Sequence, residues 1–216
     1  MENNKITTIL FDFDGTLIDT NEVIIQSFQY TFRQVLGKEK PVEEIIKTFG
    51  EPLELTMSKM LDIPPAKAME IYRSYHYKKF DELISMFPGM LELVIELKRR
   101  GYKMAIVTSR LRNTTIQGLK KYNLESYFDY IVTADDTDKH KPDPTPINIA
   151  LEKLNAKPEE ALMIGDSMFD ILCAHNASVK SVLVGWAIAV TEEDKAGPNK
   201  PTYIVDRAEE ILALLA

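Results

Sequence analysis

The strongest constraint on the fold is a series of short apolar runs, several of which end in a polar or acidic cluster. Thr7–Phe11 runs into Asp12-Phe13-Asp14-Gly15, Tyr102–Val107 into Thr108-Ser109, and Leu162–Ile164 into Gly165-Asp166-Ser167. Tyr130–Thr133 and Ser181–Val184 are further runs, and Thr202–Val205 reads as an edge strand. Short runs rich in Ile and Val are the mark of parallel strands buried on both faces. Between them lie segments of helical period. Gly89–Arg100 carries Met90, Leu91, Val94, Ile95 and Leu97 and stops at Gly101, a helix C-terminal signal. Thr114–Tyr122, Pro144–Leu154 and Met168–Ala177 are the others. The alternation predicts an α/β fold with a doubly wound, Rossmann-like parallel sheet. Ligands of such sheets bind beyond the carboxyl ends of the strands.

Residues 18–86 interrupt the alternation. From near Asn21, Val23, Ile24, Phe28, Phe32 and Val35 recur at helical spacing, and turn signals fall at Gly37, Gly50, Pro52 and Pro64-Pro65. No strand pattern stands out. The expectation is an all-helical cap inserted at 18–86 into a core domain formed by 1–17 and 87–216. Hinges near 18–20 and 86–89 are expected to open and close it.

Composition narrows the function classes. At 45% hydrophobic and 27% charged, the chain is neither disordered nor a disulfide scaffold. Its net charge of −7, with no basic tail, argues against a nucleic-acid partner. Cys173 is the single cysteine, so internal disulfides and Cys-rich zinc sites are excluded. No apolar stretch approaches the ~18 residues of a membrane span, and the start of the chain is unlike a signal peptide. A soluble cytoplasmic protein, monomeric or weakly dimeric, is expected.

The chemistry is expected at the strand ends. Asp12 and Asp14 can turn into one pocket past the first strand. Two carboxylates so close repel unless a cation or a shared proton intervenes. A hard divalent cation resolves this, and Mg²⁺ suits a phosphate substrate. Thr108 and Ser109 offer hydroxyls to an anionic oxygen. Lys141, in Lys141-Pro142-Asp143-Pro144, is a cation on a restrained backbone. Asp166 is another carboxylate at a strand mouth, and Asp170 falls in the first turn of the next helix.

Four stretches, DFDGTL, VTS, KPDP and GDSMFD, stand in the order found in the haloacid dehalogenase-like superfamily, and the whole chain resembles that superfamily. The resemblance implies a phosphohydrolase in which Asp12 attacks phosphorus and forms an aspartyl-phosphate. Asp14 protonates the leaving group and then takes a proton from water. Thr108 and Ser109 hold phosphoryl oxygens, and Lys141 steadies the nucleophile. Asp166, the Asp12 side chain and the Asp14 carbonyl oxygen bind Mg²⁺, while Asp170 orients Lys141 or a metal-bound water. The flanking stretches look most like the superfamily's bacterial pyrophosphatases, which implies a small phosphorylated anion, inorganic pyrophosphate first, as substrate. Phosphoglycolate phosphatases and hexose-phosphate mutases resembling β-phosphoglucomutase are the alternatives. Arg110 stands where lysine is common. Glu51, in Phe49-Gly50-Glu51-Pro52, puts an acid in a cap loop expected to face the substrate.

Several residues have a plainer reading. Arg110 and Arg112 could reach a second phosphate or be surface charge at a helix start. Tyr72–Lys79 could greet an anion, but a solvated helix face with aromatics packed inward is the favoured reading. Gln26 and Gln29 are expected on an exposed face. His140, His175, Cys173 and Trp186 read as structural.

Overall fold

The computed structural model describes residues 5–215. Six strands form one parallel sheet: β1 (Thr8–Phe11), β4 (Lys103–Val107), β5 (Tyr130–Val132), β6 (Ala161–Gly165), β7 (Lys180–Val184) and β8 (Tyr203–Val205). Their order across the sheet is β5-β4-β1-β6-β7-β8. β1 is therefore central. Phe11 stands level with Ile106 on one side and Ile164 on the other, so the three chain segments that leave these strands emerge side by side. The order reverses at β1, the kind of point where open α/β sheets bind ligands. All four residues of β1 are buried, which is why it reads as a continuous apolar run rather than an alternating one.

Helices α5 (Met90–Arg99), α6 (Arg112–Lys121), α7 (Thr145–Leu154), α8 (Met168–Asn176), α9 (Glu192–Ala196) and α10 (Ala208–Leu214) connect or follow the strands. α7 lays Ile147, Ala150, Leu151 and Leu154 against Leu10, Ala105 and Val107 of the sheet, with Cys173 and Ala174 of α8 in the same cluster. α5 buries Met90, Leu93, Val94 and Leu97. Leu91 and Ile95, two of the apolar positions that mark this helix in the sequence, are exposed. α9 and α10 have no counterpart among the elements expected from sequence. α9 is one charged turn, held by a Thr191–Asp194 capping box.

The chain divides into two compact units, Met1–Ile18 with Met86–Ala216, and Asp19–Ser85. The crossings between them are two-residue strands, β2 (Ile18–Asp19) and β3 (Ser85–Met86), which pair with each other. They correct the expectation of a strand-free 18–86, since two residues carry no periodicity to read. The smaller unit consists of α1 (Asn21–Leu36), α2 (Val42–Ile46), α3 (Leu53–Met60) and α4 (Pro65–Leu83). Phe28 and Phe32 of α1 pack with Ile45, Met57 and Tyr72. Tyr72 and His76 of α4 are buried and stacked, ring centroids 5.4 Å apart, while Ser74 and Lys78 face solvent; the inward-aromatic reading of Tyr72–Lys79 holds for Tyr72 but not for Tyr77, which is exposed. Gln29 is buried instead of exposed, and both ends of its amide bond the Lys40 backbone, at 2.7 and 3.1 Å. Glu51 does not present a bare charge: it accepts from Lys59 Nζ at 2.8 Å and Thr56 Oγ1 at 3.3 Å.

The plainer readings fit their positions elsewhere. Cys173 is buried, the Trp186 ring packs 5.3 Å from that of Phe87, and His175 Nε2 lies 3.3 Å from Ser181 Oγ. Among the described residues no helix is long and apolar enough to cross a membrane.

Candidate active site

Asp12 follows β1 directly, and its N–H donates to Ile164 O at 2.9 Å, so the sheet ladder itself sets where the carboxylate begins. The side chain is buried. Lys141 Nζ lies 2.9 Å from Asp12 Oδ1 and 2.5 Å from Asp170 Oδ1, and donates to Val107 O at 3.3 Å. Asp170 is wholly buried and built into the start of α8. Its Oδ2 accepts from Ser167 N–H at 3.1 Å and Ser167 Oγ at 2.6 Å, a capping box that satisfies helix-end donors. The helix start therefore fixes Asp170, and Asp170 fixes Lys141.

Asp166, one residue past β6, is buried and accepts from Thr16 Oγ1 at 3.2 Å. Gly15 lets the two loops approach: it has φ +71°, and a Cβ there would fall 2.1 Å from Asp166 Oδ2. Thr108 caps β4. Its N–H donates to Val132 O at 3.0 Å, and its Oγ1 accepts from Arg110 N–H at 3.2 Å. Ser109 beside it is half-buried. Asp14 points its carboxylate at Arg110, whose Nε and Nη2 donate to it at 2.8–3.0 Å. The candidate residues at three strand ends, with Lys141 from the loop before α7, thus converge on one mouth of the sheet. Sequence reasoning missed Thr16 and the target of Arg110, and noted Ser167 only as part of the Gly165-Asp166-Ser167 strand end. Thr16 and Ser167 lie inside the DFDGTL and GDSMFD stretches, but a hydroxyl's partner is not written in its own sequence.

The charges do not balance within the protein. Asp12, Asp14, Asp166 and Asp170 face Lys141 and Arg110, a formal excess of two negative charges. Burial pushes the Asp12 carboxyl up to about 7, against the pull of Lys141. Burial, then Asp170 and Asp12, raises Asp166 well above the usual carboxylate range. For Lys141 burial alone would lower the value, but Asp12 and Asp170 outweigh it and hold the ammonium above an ordinary lysine. Asp12, Asp166 and Asp170 each offer an oxygen, all within 4.8 Å of one another. An all-oxygen, net-negative, buried donor set fits a hard divalent cation. Both Asp170 oxygens are already engaged by Lys141 and Ser167, which leaves Asp12 and Asp166 as the better side-chain donors.

The family model described as haloacid dehalogenase-like hydrolase matches residues 9–184. The chain belongs to this family. Members and relatives align over almost its full length. Pyrophosphatase PpaX of Bacillus mycoides (strain KBAB4) is 40% identical over 212 residues, covering 98% of both chains. A haloacid dehalogenase-like hydrolase from Streptococcus pneumoniae superposes with a TM-score of 0.88 at 31% identity, covering 100% of both. A Lactobacillus plantarum structure, named provisionally as a phosphoglycolate phosphatase, superposes with a TM-score of 0.87 at 28% identity over 97% of this chain and 99% of that one. As a haloacid dehalogenase-like hydrolase, the protein is an enzyme.

Proposed function

We infer that the protein hydrolyses inorganic pyrophosphate to two phosphates through an aspartyl-phosphate on Asp12, with Mg²⁺ as cofactor. The observation that carries this is a buried carboxylate held 2.9 Å from a buried lysine at the end of the central strand. That placement supports reading Asp12 as the nucleophile. The pyrophosphate assignment draws on the 40% identity to a pyrophosphatase PpaX along nearly the whole chain.

An Asp12 oxygen attacks phosphorus, and the bond to the bridging oxygen breaks. Lys141 pulls Asp12 towards its ionised form and offsets the charge that gathers there. Thr108 and Ser109 donate to the phosphoryl oxygens. Asp14 gives the departing phosphate its proton. It then takes one from the water that opens the acyl-phosphate, so each turnover consumes one water and restores both aspartates. Asp170 holds Lys141 in register. Asp12, Asp166 and the Asp14 carbonyl oxygen would hold Mg²⁺, which when bound supplies the charge cancellation that lets a carboxylate approach an anionic phosphate.

The test is phosphate release from a panel of pyrophosphate, 2-phosphoglycolate and sugar phosphates, with Asp12→Asn as reference. Pyrophosphate is expected to lead, and mass spectrometry of quenched enzyme is expected to find phosphate on Asp12. Release no greater than that of Asp12→Asn overturns the reading, as would isomerisation of glucose 1-phosphate without net hydrolysis. The structural likeness to a protein named provisionally as a phosphoglycolate phosphatase makes 2-phosphoglycolate the second candidate.

A further inference from the structure

Two arginines follow the Thr108-Ser109 pair, and the structure separates their uses. Arg112 ties the start of α6 to the loop after β5. Its N–H donates to Asp135 Oδ2 at 2.6 Å, and its Nη2 donates to Asp136 Oδ2 at 2.6 Å and Ile131 O at 3.0 Å. Arg110 turns the other way. Its fork grips the Asp14 carboxylate at 2.8–3.0 Å, and its guanidinium carbon lies 5.7 Å from the centroid of the Phe13 ring.

The mouth has a gradient of exposure. The Asp170 side chain is 0% exposed, Lys141 4%, Asp12 10% and Asp14 26%. A phosphoryl group taken by Asp12 must leave its remaining substituent on the open side, towards Asp14. The Arg110 side chain is 7% exposed, so this cation is set into the wall beside that position. Lys141 is committed to Asp12 and Asp170 and cannot also serve the far end of the substrate.

We propose that Arg110 anchors the leaving group: a second anion on the substrate displaces the Asp14 carboxylate from the guanidinium and is gripped in its place. The site then selects phosphoryl donors whose leaving group is itself an anion, phosphate or carboxylate, over esters of neutral alcohols. Carboxylate and phosphate present the same paired oxygens to an arginine fork. Exchanging one for the other keeps a desolvated cation paired throughout, and an unpaired one is costly. The exchange also frees Asp14 from the guanidinium, so that it can take up from solvent the proton it passes to the leaving oxygen. A lysine in its place would be a point charge without the fork.

This rests on the hydrolase reading above, and the experiment separates the two. Wild type, Arg110→Lys and Arg110→Gln are assayed on pyrophosphate, 2-phosphoglycolate and phenyl phosphate at saturating Mg²⁺. Losing a buried charged partner predicts a fall of ~10-fold or more in kcat/KM for the first two substrates relative to phenyl phosphate. The fall is carried by KM, and Arg110→Lys recovers part of it. A loss confined to pyrophosphate identifies phosphate, and one confined to 2-phosphoglycolate identifies carboxylate, as the anion gripped. Calorimetry in an Asp12→Asn background gives a second readout: adding Arg110→Gln weakens pyrophosphate binding by a similar factor. Equal losses on all three substrates, or unchanged binding, overturn the proposal and leave the hydrolase reading standing. If wild type turns over none of the three, the hydrolase reading fails, and the binding comparison still decides Arg110. Should Arg110→Gln fail to fold by thermal melt, Arg110→Lys carries both comparisons.

Discussion

Replacing Gly15 by alanine tests whether the close approach of two loops sets the site. The backbone there has φ +71°, and the added Cβ would fall 2.1 Å from Asp166 Oδ2 and 2.5 Å from its Cγ. Real Cβ contacts essentially never fall under 3.0 Å, so the Asp166 carboxylate must shift by about 0.9 Å. Asp166 is the carboxylate that gives way, its other oxygen accepting from Thr16 Oγ1 at 3.2 Å. Two costs follow. The left-handed backbone costs about 1–2 kcal/mol with a side chain, or roughly 2–8 °C in melting temperature at this chain length. The displacement moves a cation donor by nearly 1 Å, which predicts a loss of about 100-fold in kcat/KM and a higher Mg²⁺ concentration for half-maximal rate. Gly101 separates the two effects: it has φ +81°, and a Cβ at that position would meet nothing within 4 Å. Gly101→Ala is expected to show the same drop in melting temperature with kcat/KM unchanged. Melting curves and Mg²⁺ titrations of phosphate release on both variants supply the numbers. If Gly15→Ala keeps wild-type turnover and Mg²⁺ dependence, or Gly101→Ala loses activity equally, the loop approach does not govern the site.

Asp170→Asn removes one of two carboxylates from a buried lysine. Lys141 keeps Asp12 as a partner, so the change is expected to cost about 1–3 kcal/mol of stability, read by denaturant unfolding, together with a lower kcat. Cys173 donates to Asp143 O at 3.0 Å, and burial pushes its thiol up to about 12. An alkylating reagent at pH 8 is expected to modify it only as the protein unfolds, and rapid labelling of native protein would contradict this. Burial works against ionised Asp136, but the Thr133 N–H and hydroxyl and Arg112 hold its carboxyl below the usual range. A depressed folded value gives stability that is full above pH ~4 and is lost as pH falls through the folded value. The stability gap between wild type and Asp136→Asn is therefore expected to narrow on acidification from pH 6 to 3.

The α/β sheet and the candidate site residues were legible because each signal is local. A buried parallel strand is a run of apolar residues, and a polar residue at its end needs no tertiary information to be noticed. Asp12, Thr108 and Asp166 lie far apart in sequence, yet each marks its own strand end, and β1 lying between β4 and β6 brings them together. What stayed illegible depends on a partner elsewhere in the chain. Glu51 looked like a bare acid because Lys59, which neutralises it, is eight residues on. Arg110 and Arg112 looked equivalent, and their fates differ because one faces Asp14 and the other Asp136. β2 and β3 are too short for any periodicity to show.

The excess negative charge at the mouth also makes stability depend on pH in a direction opposite to that of Asp136. In the metal-free protein burial raises Asp12 to about 7, while in the unfolded chain it titrates at ~3.9. Between those values the folded state binds more protons than the unfolded state, so stability falls as pH rises from ~4 to about 7. The informative quantity is the difference between wild type and Asp12→Asn, a variant with no carboxylate to ionise there. Denaturant unfolding in a chelating buffer is expected to show wild type losing ground to Asp12→Asn as pH rises from 5 to 8. Saturating Mg²⁺ is expected to abolish the trend, because a bound cation stabilises the ionised carboxylates and its uptake releases the protons they held. The proton release can be measured directly from the buffer dependence of the binding heat at pH 6.5. If the chelated wild type instead gains on Asp12→Asn with rising pH, Asp12 is ionised without help. Lys141 would then suffice to balance it, and the charge argument for a divalent cation would fall.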